Sequence, residues 1–216
     1  MERNDITLPT VTNVNTNPKP EINSKNTLNK PLKAILSADG SFADGKSPEF
    51  INQDDQSRRW LNDFHTKPFA VPLSLEIIDP NRYTCLLIPH SPGATVDLSN
   101  NKDLGQIILQ FIRDKKLICA IGLGVAGLLS AHGDKNLTWG LKAYSLTGSS
   151  VFELARLPDF ADFRVILEDA VRDRGATFAV SEPDCVHVVV DRHLITGQNE
   201  ASTLTAVQNL VLLCNQ

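Results

Sequence analysis

The chain has 216 residues and a mass of 23.7 kDa, enough for one medium domain or one domain with a tail. It is 42% hydrophobic and 21% charged, it has no apolar run long enough to span a bilayer, and its N-terminus has no apolar signal core, so a cytosolic chain without membrane insertion is expected. Lys and Arg number 21 against 25 Asp and Glu, and a net charge of −4 argues against direct nucleic-acid binding, which normally needs a basic face.

Residues 1–31 hold seven Asn, five Thr, four Pro and no aromatic residue. Their few apolar positions are isolated, and such a segment cannot bury enough surface to offset its ordering entropy. It reads as a disordered tail, with a short docking motif as the functional alternative. Residues 32–216 form the folded domain.

Leu32–Leu36 reads as a short buried strand that ends in the turn-rich run 39–45. Residues 53–65 predict a short helix with Trp60, Leu61 and Phe64 on one face. The apolar run Tyr83–Ile88 reads as a strand buried on both faces, followed by a loop at Pro89. Leu104, Ile107, Ile108, Phe111 and Ile112 recur at helical spacing and predict a helix over about 101–114. Leu117–Ile121 is a second buried strand. It breaks at Gly122-Leu123-Gly124 and continues as a helix over about 125–132. Strand, helix, strand, Gly turn and helix in series predict an α/β fold with a doubly wound, mostly parallel sheet.

Ser150-Val151-Phe152-Glu153 has capping-box spacing and starts a helix near 151–157. A further short helix is expected at 168–174. The runs 186–190 and 193–196 flank Asp191-Arg192 as a hairpin. Ser202–Cys214 closes the chain as a helix with Leu204, Val207, Leu210, Val211 and Cys214 inward. The four cysteines (Cys85, Cys119, Cys185 and Cys214) show no metal-ligand spacing and read as buried, reduced thiols. No metal and no cofactor are expected.

The turn at Gly122 has the strand-to-helix form of a nucleophile elbow, which exposes one side chain above a sheet with helix N–H groups behind it. Ala120–Leu128 resembles the elbow of the PfpI-like superfamily, which is class 1 glutamine amidotransferase-like and includes the Parkinson-disease deglycase and heat-shock glyoxalase types. Ile88–Leu98 is similar to the family's glycine-rich loop, and Asp44-Gly45-Lys46 to its Gly-Gly-Lys. Val165–Asp169 with Arg174-Gly175-Ala176, His187–Asp191 and Leu194–Asn199 resemble its later motifs. The resemblance covers about residues 33–214 and implies a flavodoxin-like scaffold. It also implies a shortened N-terminal half: roughly one helix and one strand, with a buried acidic residue, are missing before Asp44. Exposed apolar surface and lowered stability would follow.

Active members of the family carry a Cys thiolate at the elbow. Here that position is Gly122, followed by Leu123 and Gly124. The family's paired glycines become His90 and Ser91, ahead of Gly93. Where the family has its catalytic His, this chain reads Ala143-Tyr144-Ser145-Leu146. The elbow is therefore expected to be vestigial and no catalytic residue is assigned. His90, Ser91, Gly93, Ser145 and Thr147 are expected to line the old cleft. Cys119, inside its strand, reads as an inert thiol, as does Cys85. His187 reads as a satisfied histidine of the sheet, and Glu168-Asp169 as a complement to a helix dipole. Asn136-Leu137-Thr138 fits a glycosylation sequon that a cytosolic chain would leave unmodified.

These departures point to a non-catalytic protein. The resemblance is to an animal branch of the family, and it implies an assembly subunit of FERRY, an early-endosome Rab effector complex that carries messenger RNA. Homo-oligomers, larger protein subunits as partners and association with early endosomes through them are the corresponding expectations. The rival is a PfpI-like hydrolase, deglycase or glyoxalase-type lyase with an altered site near Ser91, Ser145 and Gly122. A third reading is a sensor whose cleft binds a carbonyl compound or an anion.

Overall fold

The computed structural model of the chain describes residues 36–37, 55–67, 70–132, 138–158 and 160–216. The expected tail, Asp44-Gly45-Lys46 and the shortened segment before them lie outside the described residues, as do Asn136 and Leu137. The chain divides into two compact units, one ending at Ile78 and one containing Asp79–Gln216.

In the first unit, β1 (Leu36–Ser37) pairs in parallel with β2 (Leu73–Ser74), and α1 spans Asp55–His65 between them. Trp60 and Phe64, one turn apart on α1, stack with ring centroids 5.3 Å apart, while Trp60 stays exposed.

The second unit contains β3 (Cys85–Ile88), α2 (Ala94–Asp97), α3 (Lys102–Arg113) and β4 (Leu117–Ile121). After these come β5 (Ser145–Leu146), α4 (Val151–Leu154), α5 (Leu167–Asp173) and β6 (Thr177–Phe178). β7 (Val188–Asp191), β8 (Leu194–Gly197) and α6 (Thr203–Cys214) complete it. The main sheet has the order β3-β4-β8-β7. β3, β4 and β8 are parallel, and β7 is antiparallel to β8 across the expected hairpin. β5 and β6 form a second parallel pair.

Ile118–Ile121 of β4 are each fully buried, which is why a continuous apolar run rather than an alternating one encodes this strand. Ile88 of β3 meets Leu104 of α3 around Gly127, so α3 and the segment after β4 cover one face. On the other face, the missing side chain of Gly197 lets Ala206 of α6 approach Ile121. Helices thus cover both faces, and the doubly wound architecture expected from the sequence holds. Asn101 caps α3 by accepting from the Leu104 N–H at 2.9 Å. Leu104, Ile107, Ile108 and Phe111 are buried along its inner stripe.

Three local expectations need correction. The segment after β4 is a wholly buried 3-10 helix over Gly122–Ser130, not an α-helix. Close packing on the loop after β3 and on α3 leaves less room there than an α-helix needs: a Cβ at Gly124 would meet the Pro89 carbonyl oxygen at 2.2 Å, and one at Gly105 would meet that of Ser130 at 2.2 Å. In α6 the buried positions are Ala206 and Leu210, whereas Leu204 is 69% exposed and Cys214 is also exposed. This helix has no charged residue, so its pattern alone does not fix its rotation; the approach of Ala206 to Gly197 does. Of the cysteines, only Cys119 is fully buried; Cys85 is half-buried and Cys185 and Cys214 are exposed. Cys185 sits in a loop and Cys214 in the last helical turn, where apolar neighbours in sequence do not cover them. All four are free thiols.

Gly105→Ala is expected to destabilise the protein by about 1–3 kcal/mol in urea denaturation, because the backbone clash outweighs a gain of about 1 kcal/mol in helix propensity. An unchanged or raised midpoint would show that α3 does not need this close approach.

Candidate functional site

The elbow is built as its sequence indicates. β4 ends at Ile121, and Gly122 turns the chain with φ of +56°, a left-handed conformation that residues with a Cβ rarely adopt. The parallel register of β3 and β4 pairs Ile88 with Ala120, so the Pro89-His90 loop leaves the sheet directly beside the turn. The imidazole of His90 fills the space into which an elbow side chain would project. A Cβ on Gly122 would lie 2.2 Å from His90 Nδ1. The Leu123 N–H donates to that same Nδ1 at 3.3 Å. In a nucleophile elbow, the N–H after the nucleophile is the donor that would meet a developing oxyanion. Here a side chain of the protein already holds it.

As an acceptor, Nδ1 carries no proton, which places the proton of the neutral ring on Nε2. Nε2 lies 3.9 Å from Glu200 Oε1. Burial holds the His90 imidazole below its ordinary range, and the charges of Glu200 and Glu153 only partly offset this.

Thr147 and Gly148 approach from the segment after β5. A Cβ on Gly148 would meet Val125 and, at 3.3 Å, the carbonyl oxygen of Gly122. The Thr147 N–H donates to Thr196 Oγ1 at 2.9 Å, and its own Oγ1 is buried with no partner among the described residues. The structure does not bring Ser145 to the elbow. Its N–H donates to Asp191 Oδ2 at 2.8 Å, and Asp191 pairs with Leu194 at the opposite end of the strands. Around it, the Arg192 guanidinium lies 3.4 Å over the Tyr144 ring and its hydrogen bonds hold the Asp191 carboxyl below its usual range. Segment 143–146 thus fastens the β7–β8 turn. Ser91 and Gly93 lie in the turn before α2, where the Ser91 carbonyl accepts from the Ala94 N–H. Gly93 has ordinary αR geometry, and a Cβ there would make only ordinary contacts with Asp97 and Ser91, so nothing there requires a glycine.

Sequence reasoning missed the role of Glu153. Its Oε2 accepts from the Ser150 N–H and hydroxyl, each at 3.0 Å, completing the expected capping box. Its Oε1 accepts from Asn199 Nδ2 at 2.8 Å, Gln198 Nε2 at 3.1 Å and the Asp184 N–H at 3.1 Å. Burial alone would raise this carboxyl, but the Asn199, Ser150, Gln198 and Asp184 hydrogen bonds outweigh it and hold it below its usual range. Gln198 and Asn199 end the Leu-Ile-Thr-Gly-Gln-Asn run, so this motif ties the end of β8 to α4 and to the 181–185 loop. The signal was present as two separate motifs; only the fold joins them. Other residues keep structural roles. Glu168 lies in the first turn of α5 and pairs with Arg172. His187 donates its N–H to Ser202 Oγ, but its buried Nε2 has no partner among the described residues, contrary to the satisfied histidine expected. Burial, ahead of the charge of Cys85, pushes the Cys119 thiol up to about 12, as an inert thiol requires.

The chain is 53% identical over 171 residues to the glutamine amidotransferase-like class 1 domain-containing protein 1 of Xenopus laevis, covering 79% of this chain and 74% of that protein. It belongs to that family. The human member is 50% identical over 170 residues, with 79% and 77% covered. No family model matches the chain. Among solved structures, the chain resembles the rapid encystment protein of Francisella tularensis with a TM-score of 0.74 at 22% identity, covering 84% and 80% of the two chains. Candida albicans glyoxalase III gives 0.69 at 22% identity, with 83% and 79% covered. A ThiJ/PfpI domain protein of Brachyspira murdochii gives 0.50 at 19% identity, with 67% and 68% covered. At these identities the likeness is one of fold, and it places the family on the PfpI-type flavodoxin-like scaffold.

Two measurements probe the elbow. Gly122→Cys is expected to cost about 2–3 kcal/mol in denaturant unfolding, from the left-handed backbone and the clash with His90. In a His90→Gly background the same change should cost only about 1 kcal/mol; equal costs in both backgrounds would refute the steric exclusion. The second is pH dependence. The unfolded imidazole takes up a proton near pH 6.5, the folded one only at lower pH. Stability present above that pH is therefore lost as pH falls through the folded value. His132 and His193 are also lowered by burial, so the comparison is between variants. Between about pH 6.5 and 5, wild type should lose more stability than His90→Asn, which retains an acceptor for the Leu123 N–H. Parallel curves would show that His90 is not held neutral.

Proposed function

We propose that this protein is a non-catalytic assembly subunit that retains the PfpI-type scaffold without its chemistry. The observation that carries this reading is the His90 imidazole seated over Gly122. It takes both the volume of an elbow nucleophile and the N–H that would stabilise an oxyanion. Cys119, the thiol nearest the elbow in sequence, is buried and neutral. No described group near the turn combines a nucleophile with a base. By family resemblance the assembly is FERRY, the early-endosome Rab effector complex that carries messenger RNA. In it this chain self-associates and docks larger protein subunits. The net charge of −4 agrees with RNA contact being made by those partners.

The test has two arms. The tagged full chain, recovered from extract of its own cells, is expected to bring down large partners in fixed stoichiometry together with endosomal Rab effectors, read by mass spectrometry. Recovery of the folded chain alone would overturn the assembly reading. In the second arm the purified chain is expected to consume methylglyoxal no faster than buffer. Turnover that His90→Gly or Leu123→Pro alters would instead favour a deglycase or glyoxalase-type lyase.

A further inference from the structure

Three of the four cysteines converge under the last turn of α6. The register pairs Cys85 with Leu117 and Leu87 with Cys119, so Cys85 and Cys119 point to the same face of the sheet as Ile121. That is the face on which α6 packs, through Ala206 against Gly197 and Ile121. The chain reverses after β8, so α6 runs back along the strands. From Ala206 to Cys214 the helix advances about 12 Å. From Ile121 back to Leu117, level with Cys85, the strand spans about 13 Å. The two lengths agree, and the thiols of Cys85 and Cys214 come within hydrogen-bonding reach of each other. Cys214 is exposed, Cys85 is half-buried and Cys119 is fully enclosed.

We propose that Cys85 and Cys214 form a reversible disulfide that latches the last turn of α6 to β3 under oxidising conditions. The oxidant is hydrogen peroxide. The exposed Cys214 thiolate attacks the peroxide O–O bond, which breaks; the sulfur becomes a sulfenic acid, and water leaves once the departing oxygen is protonated. The sulfur of Cys85 then attacks the Cys214 sulfur. An S–S bond forms, the S–O bond breaks, and the Cys85 proton leaves with the oxygen as a second water. Two thiols and one peroxide thus give one disulfide and two waters. The order of events follows from exposure. Burial, ahead of Cys214's influence, pushes the Cys85 thiol up to about 12, so it does not meet peroxide first. Its contact with Cys214 supplies the effective concentration that its low acidity lacks. Cys119, pushed up to about 12 and sealed beneath, stays reduced.

The test treats the purified full chain with hydrogen peroxide, alkylates the remaining thiols and maps peptides without reduction. The expected product is a monomer lighter by about 2 Da, with the Cys85 and Cys214 peptides joined and Cys185 alkylated. Dithiothreitol should reverse it, and the oxidised form should unfold a few degrees higher, because the bond closes a loop of roughly 130 residues. Cys214→Ser changes an exposed residue and is expected to fold as wild type while losing both the cross-link and the shift. Cys185→Ser should keep both. A Cys214 oxidised beyond sulfenic acid with Cys85 still alkylated, or a dimer linked through Cys185 or Cys214, would overturn the proposal.

Discussion

Two groups cannot share the space above the elbow. Gly122 is held in a left-handed conformation by the way β4 ends, and any side chain there would enter the volume of His90. The imidazole also accepts the Leu123 N–H, so it completes the hydrogen bonding of a buried turn rather than merely filling a hole. The neutral state of the ring, its Nε2 proton and its approach to Glu200 all follow from this one placement. So does the functional reading. A thiol at this turn and a histidine in the loop after β3 are alternatives, and this chain has taken the second.

The frame around the elbow is drawn together by one carboxylate. The Glu153 carboxylate collects donors from Ser150, Asp184, Gln198 and Asn199, which come from three separate stretches of the sequence. Charge-assisted hydrogen bonds of this kind are stronger than neutral ones, and together they hold both carboxylate oxygens in place. A scaffold that binds partners needs a rigid outline as much as an enzyme does. A rigid frame around the elbow is therefore compatible with the proposed assembly role.

The parallel sheet was legible because its strands are buried on both faces, and Leu117–Ile121 could be read residue by residue. The hairpin at Asp191-Arg192 and the capping box at Ser150 were legible because both are local. Features that depend on distant approach were not. The rotation of α6 is set by Gly197, which its own uncharged sequence does not reveal. The 3-10 form of Gly122–Ser130 is imposed by the Pro89 carbonyl and by Gly105. At the site, the absence of a thiol could be read directly from Gly122. That His90 fills the vacancy could not, since 32 residues separate the two and only the β3–β4 register unites them. Ser145 was placed at the cleft by its position in a motif, and the register sets it at the far end of the strands. Thr147, two residues on, sits where Ser145 was expected.

The antiparallel setting of β7 has a kinetic consequence. Within the main sheet, β7–β8 is the one pair of strands joined by a tight turn, and hairpins of this kind close in microseconds. The β3–β4 and β4–β8 pairs each need a crossover, and the second spans every element from the elbow to the hairpin. Loop-closure entropy opposes that second pairing most strongly. The last step of sheet assembly is then the docking of a preformed hairpin onto β4, which brings the Gln198-Asn199 end of β8 within reach of Glu153. The carboxylate hub forms as the sheet closes, so its bonds slow unfolding more than they speed folding.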